Sequence, residues 1–170
     1  MYSPVIRNII RFISLLMAQV FIFDNIRFGN YIHPYVYMLF VMLLPFETPK
    51  WRLILDGFLM GMSIDIFSGT PGLNAAATVF MAYVRPYVIN AMTRKSDIED
   101  KTEPSVTEMG VNWFFVYGLL LLILHNLVLF WLEAFSIKLL GIVLLEVLLS
   151  APISLIVIIL IIYIFKPIKK

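Results

Sequence analysis

A helical hairpin is encoded by residues 57–75, which read GFLMGMSIDIFSGTPGLNA. Gly57, Gly61, Asp65 and Gly69 follow one another at intervals of four, so they share one face of a helix. The uncharged Ser-Gly-Thr-Pro-Gly at 68–72 is a strong breaker between two apolar runs. These residues therefore predict a helix, a tight turn and a second helix.

The whole chain is unusually apolar. Of its 170 residues, 61% are hydrophobic and 14% are charged, with a mean hydropathy of +0.93, whereas about a quarter of the residues in soluble domains are charged. A membrane-spanning helix needs ~20 residues, so the length suffices for five or six spans and leaves no room for a water-soluble catalytic domain. The chain has no Gly-x-x-x-x-Gly-Lys-Ser/Thr loop for nucleotide phosphates, and its lack of cysteine excludes disulfides and thiolate metal sites. We therefore expect an integral membrane protein that takes any energy from a partner.

Six apolar stretches predict six transmembrane helices in a single all-α membrane domain, 1–170. The stretches are 4–23, 34–46, 51–67, 74–92, 111–133 and 137–165. The second, at ~13 residues, is short enough to be re-entrant or interfacial instead. The last exceeds the ~30 Å hydrocarbon core, so we expect Pro152 to kink or split it. The polar stretch 93–110 predicts the largest loop.

Basic residues predict the orientation of these spans. With the N-terminus in the cytoplasm, ten lysines and arginines lie inside and two outside, as the positive-inside rule requires. The inside residues are Arg7, Arg11, Lys50, Arg52, Arg94, Lys95, Lys101, Lys166, Lys169 and Lys170; the outside residues are Arg27 and Lys138. We expect both termini in the cytoplasm, with Arg7, Arg11 and the C-terminal lysines on anionic headgroups or, alternatively, on a cytoplasmic protein.

Six ionisable residues lie within or at the ends of the predicted spans and need shelter or a place near the surface, because a charge in the hydrocarbon is costly: Asp56, Asp65, Arg85, His125, Glu133 and Glu146. Asp56 and Arg85 are equally far from the centre of the 68–72 turn, and His125 and Glu146 are equally far from the turn near residue 135. We therefore predict an Asp56–Arg85 salt bridge and a His125–Glu146 hydrogen bond at matching depths. Either pair could fix helix packing or belong to a polar solute cavity. A proton path is disfavoured, because a relay needs more ionisable groups along one route.

The glycines at 57 and 61 remove side chains from one helix face, which lets a second helix approach closely. That second helix could belong to this chain, since Ala75, Ala76 and Ala77 open the next helix, or to another protein. Spacing alone leaves both interpretations open.

The stretch 57–75 resembles the signature of the MreD family of rod shape-determining membrane proteins. The matching features are Gly61 with Asp65 four residues on, the turn through Gly69 and Gly72, and the Leu-Asn-Ala that contains Asn74. The aromatic and acidic end of the fifth stretch, Phe-Trp-Leu-Glu at 130–133, also agrees. The resemblance implies a six-helix fold similar to the substrate-binding component of energy-coupling-factor transporters. It implies no enzymatic activity and no catalytic, cofactor or metal site.

The resemblance also implies a place in the elongasome, where MreD-like proteins bind MreC and help direct lateral peptidoglycan synthesis and rod shape. MreB, RodA and a penicillin-binding transpeptidase would be further, indirect partners, and nucleic acid would not be one. We expect a scaffold of the bacterial inner membrane. The first alternative is a solute-binding transporter component, with a pocket lined by Asn74, His125, Asn126 and Glu146. The second is an intramembrane enzyme, disfavoured because Asp56 and Asp65 lie on opposite faces of their helix.

Overall fold

The chain folds as a bundle of helices in a computed structural model that describes residues 4–26, 32–98 and 103–165. In chain order the helices are α1 (Pro4–Phe21), α2 (Leu39–Met42), α3 (Lys50–Ser68), α4 (Leu73–Met92), α5 (Val106–Met109), α6 (Val111–Ala134) and α7 (Leu140–Ile164). Short 3-10 turns occupy Phe23–Asn25, Lys95–Ile98 and Ile137–Leu139. No strand occurs within the described ranges, so the all-α prediction is confirmed there.

Five long helices coincide with five of the six predicted stretches. Helix α7 continues through Pro152, so the predicted split does not occur, and the 3-10 turn Ile137–Leu139 takes up part of the excess length. Within the described ranges three stretches are long and apolar enough to cross a membrane: Val5–Asn25, Val111–Ala134 and Ile137–Ile164. This supports a membrane protein with three clear spans. Helices α3 and α4 are less apolar because they carry charged and amide side chains.

The long helices pack in a row. Helix α3 packs on α1 and α4, α4 packs on α6, and α6 packs on α7. Residues 32–46 lie along the inside of this row and contribute the most buried part of the core, since Val36 to Leu44 are all at most 8% exposed.

Residues 34–46 do not form the predicted helix. They are extended up to Val36 and then turn through the single-turn helix α2, ending in further turns before α3. Non-helical backbone at membrane depth is tolerated only where protein surrounds it, because its polar groups would otherwise face hydrocarbon. The burial of this segment meets that requirement.

Side chains of the surrounding helices satisfy the backbone donors of the extended part. Three hydrogen bonds do this: His33 N–H to Ser150 Oγ at 3.0 Å, Tyr35 N–H to Ser154 Oγ at 2.9 Å, and Val36 N–H to Gln19 Oε1 at 2.8 Å. The intervening Pro34 has no N–H, and its carbonyl accepts from Gln19 Nε2 at 3.2 Å. Every backbone donor from His33 to Val36 is therefore accounted for.

The carbonyls at the other end of the segment are also bonded to side chains. Tyr117 donates its hydroxyl to the Met42 carbonyl at 3.0 Å, and Arg11 Nη1 reaches the Leu43 carbonyl at 3.4 Å. Arg85 donates through Nη2 to the Leu44 carbonyl and through Nε to the Tyr117 hydroxyl at 3.0 Å. Arg85 is only 1% exposed, so a buried cation is stabilised here by oxygen dipoles of a non-helical backbone and a tyrosine.

Close packing of α3 on α4 explains the glycine spacing. A Cβ on Gly61 would lie 2.5 Å from Ala75 Cα, and one on Gly57 would lie 3.1 Å from Ala82 Cβ. Gly69 ends α3 with φ +69°, a left-handed conformation that other residues adopt at a cost. The glycine face is thus occupied by this chain's own α4, which decides between the two interpretations of the spacing.

The predicted loop 93–110 is partly helical and is bound to α1. Glu103 accepts from Arg7 at 2.5 Å and from Arg11 at 2.7 Å, and its own side chain is 6% exposed. Arg7 and Arg11 thus form an ion-pair triad with Glu103 within the chain, while 45% of the Arg7 side chain remains exposed. Of the other basic residues used for the orientation, Arg27, Lys101, Lys166, Lys169 and Lys170 lie outside the described residues.

Candidate functional site: a buried polar network around Asp65

Asp65 caps the start of α4 from the last turn of α3. Its Oδ1 accepts from Thr70 Oγ1 at 2.5 Å and from both the backbone N–H and the Nδ2 of Asn74 at 3.0 Å. Its Oδ2 accepts from the Ala75 N–H at 2.9 Å. A helix N-terminus has unsatisfied N–H donors and a partial positive charge, so a carboxylate at this position stabilises it twice over. Asp65 thereby closes the α3–α4 turn.

The network continues from Asn74 into the centre of the bundle. Asn74 uses its Nδ2 on Asp65 and Thr70, which leaves Oδ1 to accept from the Tyr37 hydroxyl at 3.0 Å. The Tyr37 hydroxyl oxygen also lies 2.9 Å from His125 Nε2. Tyr37 and His125 are both fully buried, so a polar chain links the hairpin turn to α6 through the non-helical segment.

The acceptor character of Asp65 sets the direction of these hydrogen bonds. Because Tyr37 donates its only proton to Asn74, its oxygen accepts from Nε2–H of His125. The other imidazole nitrogen, Nδ1, lies 3.3 Å from Asn126 Oδ1. The hydrogen-bonded chain is therefore directed from His125 through Tyr37 and Asn74 to Asp65.

Thr78 connects the same network to the backbone of α4. Its hydroxyl donates to the Asn74 carbonyl at 2.6 Å and lies 3.4 Å from His125 Nε2. Thr78 is fully buried and sits one turn after Asn74. It thus fixes the position at which α4 meets the His125 imidazole.

Both predicted intramembrane pairs are wrong. Asp56 lies 3.6 Å from Arg52 on its own helix, while Arg85 bonds to Tyr117 and to the Leu44 carbonyl. His125 bonds within the Asp65 network rather than to Glu146. Counting residues from each turn predicts how deep a residue lies in the membrane. It does not predict which side of the helix the residue occupies.

The residues of the Gly57 to Asn74 motif, in contrast, do come together. Gly57 and Gly61 allow α4 to approach, Gly69 and Gly72 take positive φ at the two ends of the turn, and Asp65 and Asn74 bond across it. The motif is therefore one structural unit, the closed end of the α3–α4 hairpin.

An open cleft of about 640 Å³ adjoins this unit. Its lining combines apolar residues with polar ones at the ends of α1, α3 and α6, including Asp24, His33, Thr70, Asn74 and Glu133. Asn74 is shared with the pocket expected for a solute binder, whereas His125, Asn126 and Glu146 are not part of the lining. This cleft, which opens beside the Asp65 turn, is therefore not the pocket predicted from the sequence.

Sequence reasoning did not single out several residues that belong to the Asp65 network or hold the backbone of the segment 32–46. They are Gln19, Tyr37, Thr70, Thr78, Tyr117, Ser150 and Ser154. Ser150 and Ser154 are spaced by one helical turn on either side of Pro152. This spacing indicates that their hydroxyls lie on the same face of α7. The roles of Tyr37 and Tyr117 depend on the path of residues 32–46, for which the sequence contains no local signal.

The charged and imidazole side chains of the described ranges do not converge on a cation. No group of three or more histidine, aspartate or glutamate side chains among them is arranged to hold a metal ion. The chemistry of the site, as far as these ranges extend, is hydrogen bonding that fixes the helices to one another. Comparisons of the chain with protein-family models, with curated proteins and with solved structures give no match.

Proposed function

We propose that this chain is a non-enzymatic scaffold of the bacterial inner membrane that binds the transmembrane helix and juxtamembrane region of MreC. On this proposal it belongs to an elongasome-type assembly and helps direct lateral peptidoglycan synthesis and rod cell shape. MreB, RodA and a penicillin-binding transpeptidase would be reached indirectly. The proposal rests on the resemblance of residues 57–75 to the MreD signature.

The observation that carries the proposal is the hydrogen bonding of the signature residues. Asp65 and Asn74 form their hydrogen bonds with the α3–α4 turn and with Tyr37. Residues that bond only to one another and to backbone build a rigid surface, as a scaffold requires. A rigid hairpin end beside an open cleft is a suitable binding surface for a juxtamembrane segment.

We further infer six crossings, with both termini in the cytoplasm and a fold similar to the substrate-binding component of energy-coupling-factor transporters. The non-helical segment would be the second crossing. It runs antiparallel to α1, because Val36 bonds near the end of α1 at Gln19 while Leu43 bonds two turns earlier at Arg11. Five extended residues cover about 16 Å and the following eight, in turns, about 12 Å, which together approach the ~30 Å hydrocarbon thickness.

The deciding experiment is a pull-down of the full chain from native membranes, with mass spectrometry of both the proteins and the small molecules recovered. We expect MreC among the proteins. Recovery of a stoichiometric solute without MreC would reject the scaffold. The variant Asp65→Ala should lower MreC recovery because it opens the α3–α4 turn. The control Ser63→Ala, on the same helix, should not lower it. Equal recovery of MreC with both variants at normal abundance would count against the role given to Asp65.

A solute-binding component remains the second candidate, because the cleft of about 640 Å³ has the size and mixed lining of a small-molecule site. The same measurement separates the two functions. A retained small molecule that is lost in a variant of the cleft residue Asp24, such as Asp24→Ala, would favour this alternative.

A further inference from the structure

Helices α1 and α7 are bridged by the extended segment rather than packed tightly on each other. Helix α1 packs mainly on α3 and α7 mainly on α6. Between them, residues 32–36 bond to Gln19 on one side and to Ser150 and Ser154 on the other. We call this strip, defined by Ile32, His33, Tyr35 and Glu146, the α1–α7 seam.

Among the residues that the structure describes, the seam is not fully covered. His33 is exposed, and Ile32 and Tyr35 are only partly buried. The backbone N–H groups of His33, Tyr35 and Val36 already have side-chain acceptors within the chain, so the part left open is side-chain surface. This surface is the place at which a partner helix can pack.

Glu146 lies at the edge of the seam, one turn before Ser150 on the same flank of α7. It is partly exposed, and among the described residues no side chain or backbone group forms a hydrogen bond or ion pair with it. Among the described residues Glu133, which repels it, His33 and Tyr35 are within electrostatic reach. This distinguishes Glu146 from Arg85 and Asp65, whose charges are met by several groups each.

The surroundings of Glu146 are lipid-facing. Ile142, one turn before it, is 44% exposed, and Leu149 is 37% exposed. A carboxylate on such a face is strongly unfavourable unless an opposite charge reaches it, and an ionisable residue at this kind of position marks a functional contact by default.

Depth indicates what kind of group reaches Glu146. The connection before α7 exposes Phe135 (84%) and Ile137 (78%) beside the exposed Glu133 and Lys138, so the connection lies at the membrane boundary. Glu146 is six residues into α7, about 9 Å deeper. A headgroup amine lies above that level, whereas a lysine or arginine on a transmembrane helix can be placed at it.

We propose that the α1–α7 seam receives a transmembrane helix of a partner protein, and that this helix presents a lysine or arginine to Glu146. The inference rests on the proposed scaffold function and names its docking surface. The partner helix covers the exposed side chains of the seam and places a positive charge beside the carboxylate in one contact.

The test places a photo-crosslinking amino acid at position 142 or at position 144 of the full chain in native membranes. Ile142 and Leu144 are 44% and 45% exposed and lie at nearly the same depth on opposite faces of α7, so they form a matched pair. We expect the probe at position 142 to capture a transmembrane segment within one turn of a lysine or arginine, and the probe at position 144 not to capture it. Combining the probe with Glu146→Leu should lower the yield about three- to twentyfold, the range for one interhelical polar contact, and Glu146→Gln should give an intermediate yield.

Three results would overturn the inference: capture of lipid alone at position 142, equal capture at both positions, or an unchanged yield in Glu146→Leu with normal abundance. Recovery of MreC in the pull-down without a crosslink at position 142 would reject the seam and leave the scaffold function standing. A crosslink to a different basic helix would keep the seam and reject MreC as the partner.

Discussion

Replacing Asp65 by alanine removes the acceptor of four hydrogen bonds at the start of α4. Two of the donors are backbone N–H groups of the first helical turn, for which loss of a cap costs ~0.5–2 kcal/mol. The Asn74 amide is buried and loses an acceptor at ~1–3 kcal/mol, while Thr70, only partly buried, can turn to solvent. We expect the free energy of unfolding to fall by about 3 kcal/mol, which for a chain of this length lowers Tm by roughly 6–12 °C.

Thermal unfolding in a mild detergent, followed by intrinsic tryptophan fluorescence, measures this shift. Asp65→Asn keeps one oxygen acceptor but turns an NH2 group toward the Ala75 N–H, so its Tm should lie between those of wild type and Asp65→Ala. Ser63→Ala is the control, because the Ser63 hydroxyl donates to the Leu59 carbonyl one turn earlier on the same helix. An Asp65→Ala protein that unfolds at the temperature of Ser63→Ala would refute the argument that this carboxylate closes the hairpin.

Three further perturbations test the packing of α3 on α4, the hydrogen bonds of the non-helical segment and the ion-pair triad of Glu103. Gly61→Ala should lower the free energy of unfolding by ~1–3 kcal/mol, because the new Cβ would lie 2.5 Å from the backbone of α4. Gly141→Ala is the control: its Cβ would have no atom within 4 Å, so it should be neutral or stabilising. A fall in Tm for both variants would contradict this. Ser150→Ala combined with Ser154→Ala should cost ~2–4 kcal/mol by stranding the N–H groups of His33 and Tyr35, and hydrogen exchange of these two amides should become faster; unchanged exchange would show that other groups satisfy them. Glu103→Gln should make residues 93–110 more sensitive to limited proteolysis by releasing Arg7 and Arg11, with the exposed Glu47→Gln as control, and identical cleavage rates in the two variants would argue against the triad.

Local signals were enough to predict the long helices. Apolar runs bounded by Gly, Pro and polar clusters placed α3 and α4 on either side of the 68–72 turn, and a four-residue spacing placed Gly57, Gly61 and Asp65 on one face of α3. These features depend on backbone geometry and on neighbours a few residues away, so they can be read from the chain itself. The resemblance to the MreD signature belongs to the same short stretch.

The partners of the polar side chains were decided only by the tertiary structure. Equal distance from a turn indicates equal depth, but a hydrogen bond also needs the right side of the helix, and Arg85 and His125 point inward to groups brought in by residues 32–46. The sequence of that segment is typical of an apolar span, yet the segment packs as extended backbone and turns. Its N–H and C=O groups that are not paired within a helix form hydrogen bonds with side chains of the surrounding helices: Gln19, Arg85, Tyr117, Ser150 and Ser154. In an interior without water every such group must find a protein partner. The choice of partner therefore follows from the packing of the whole bundle.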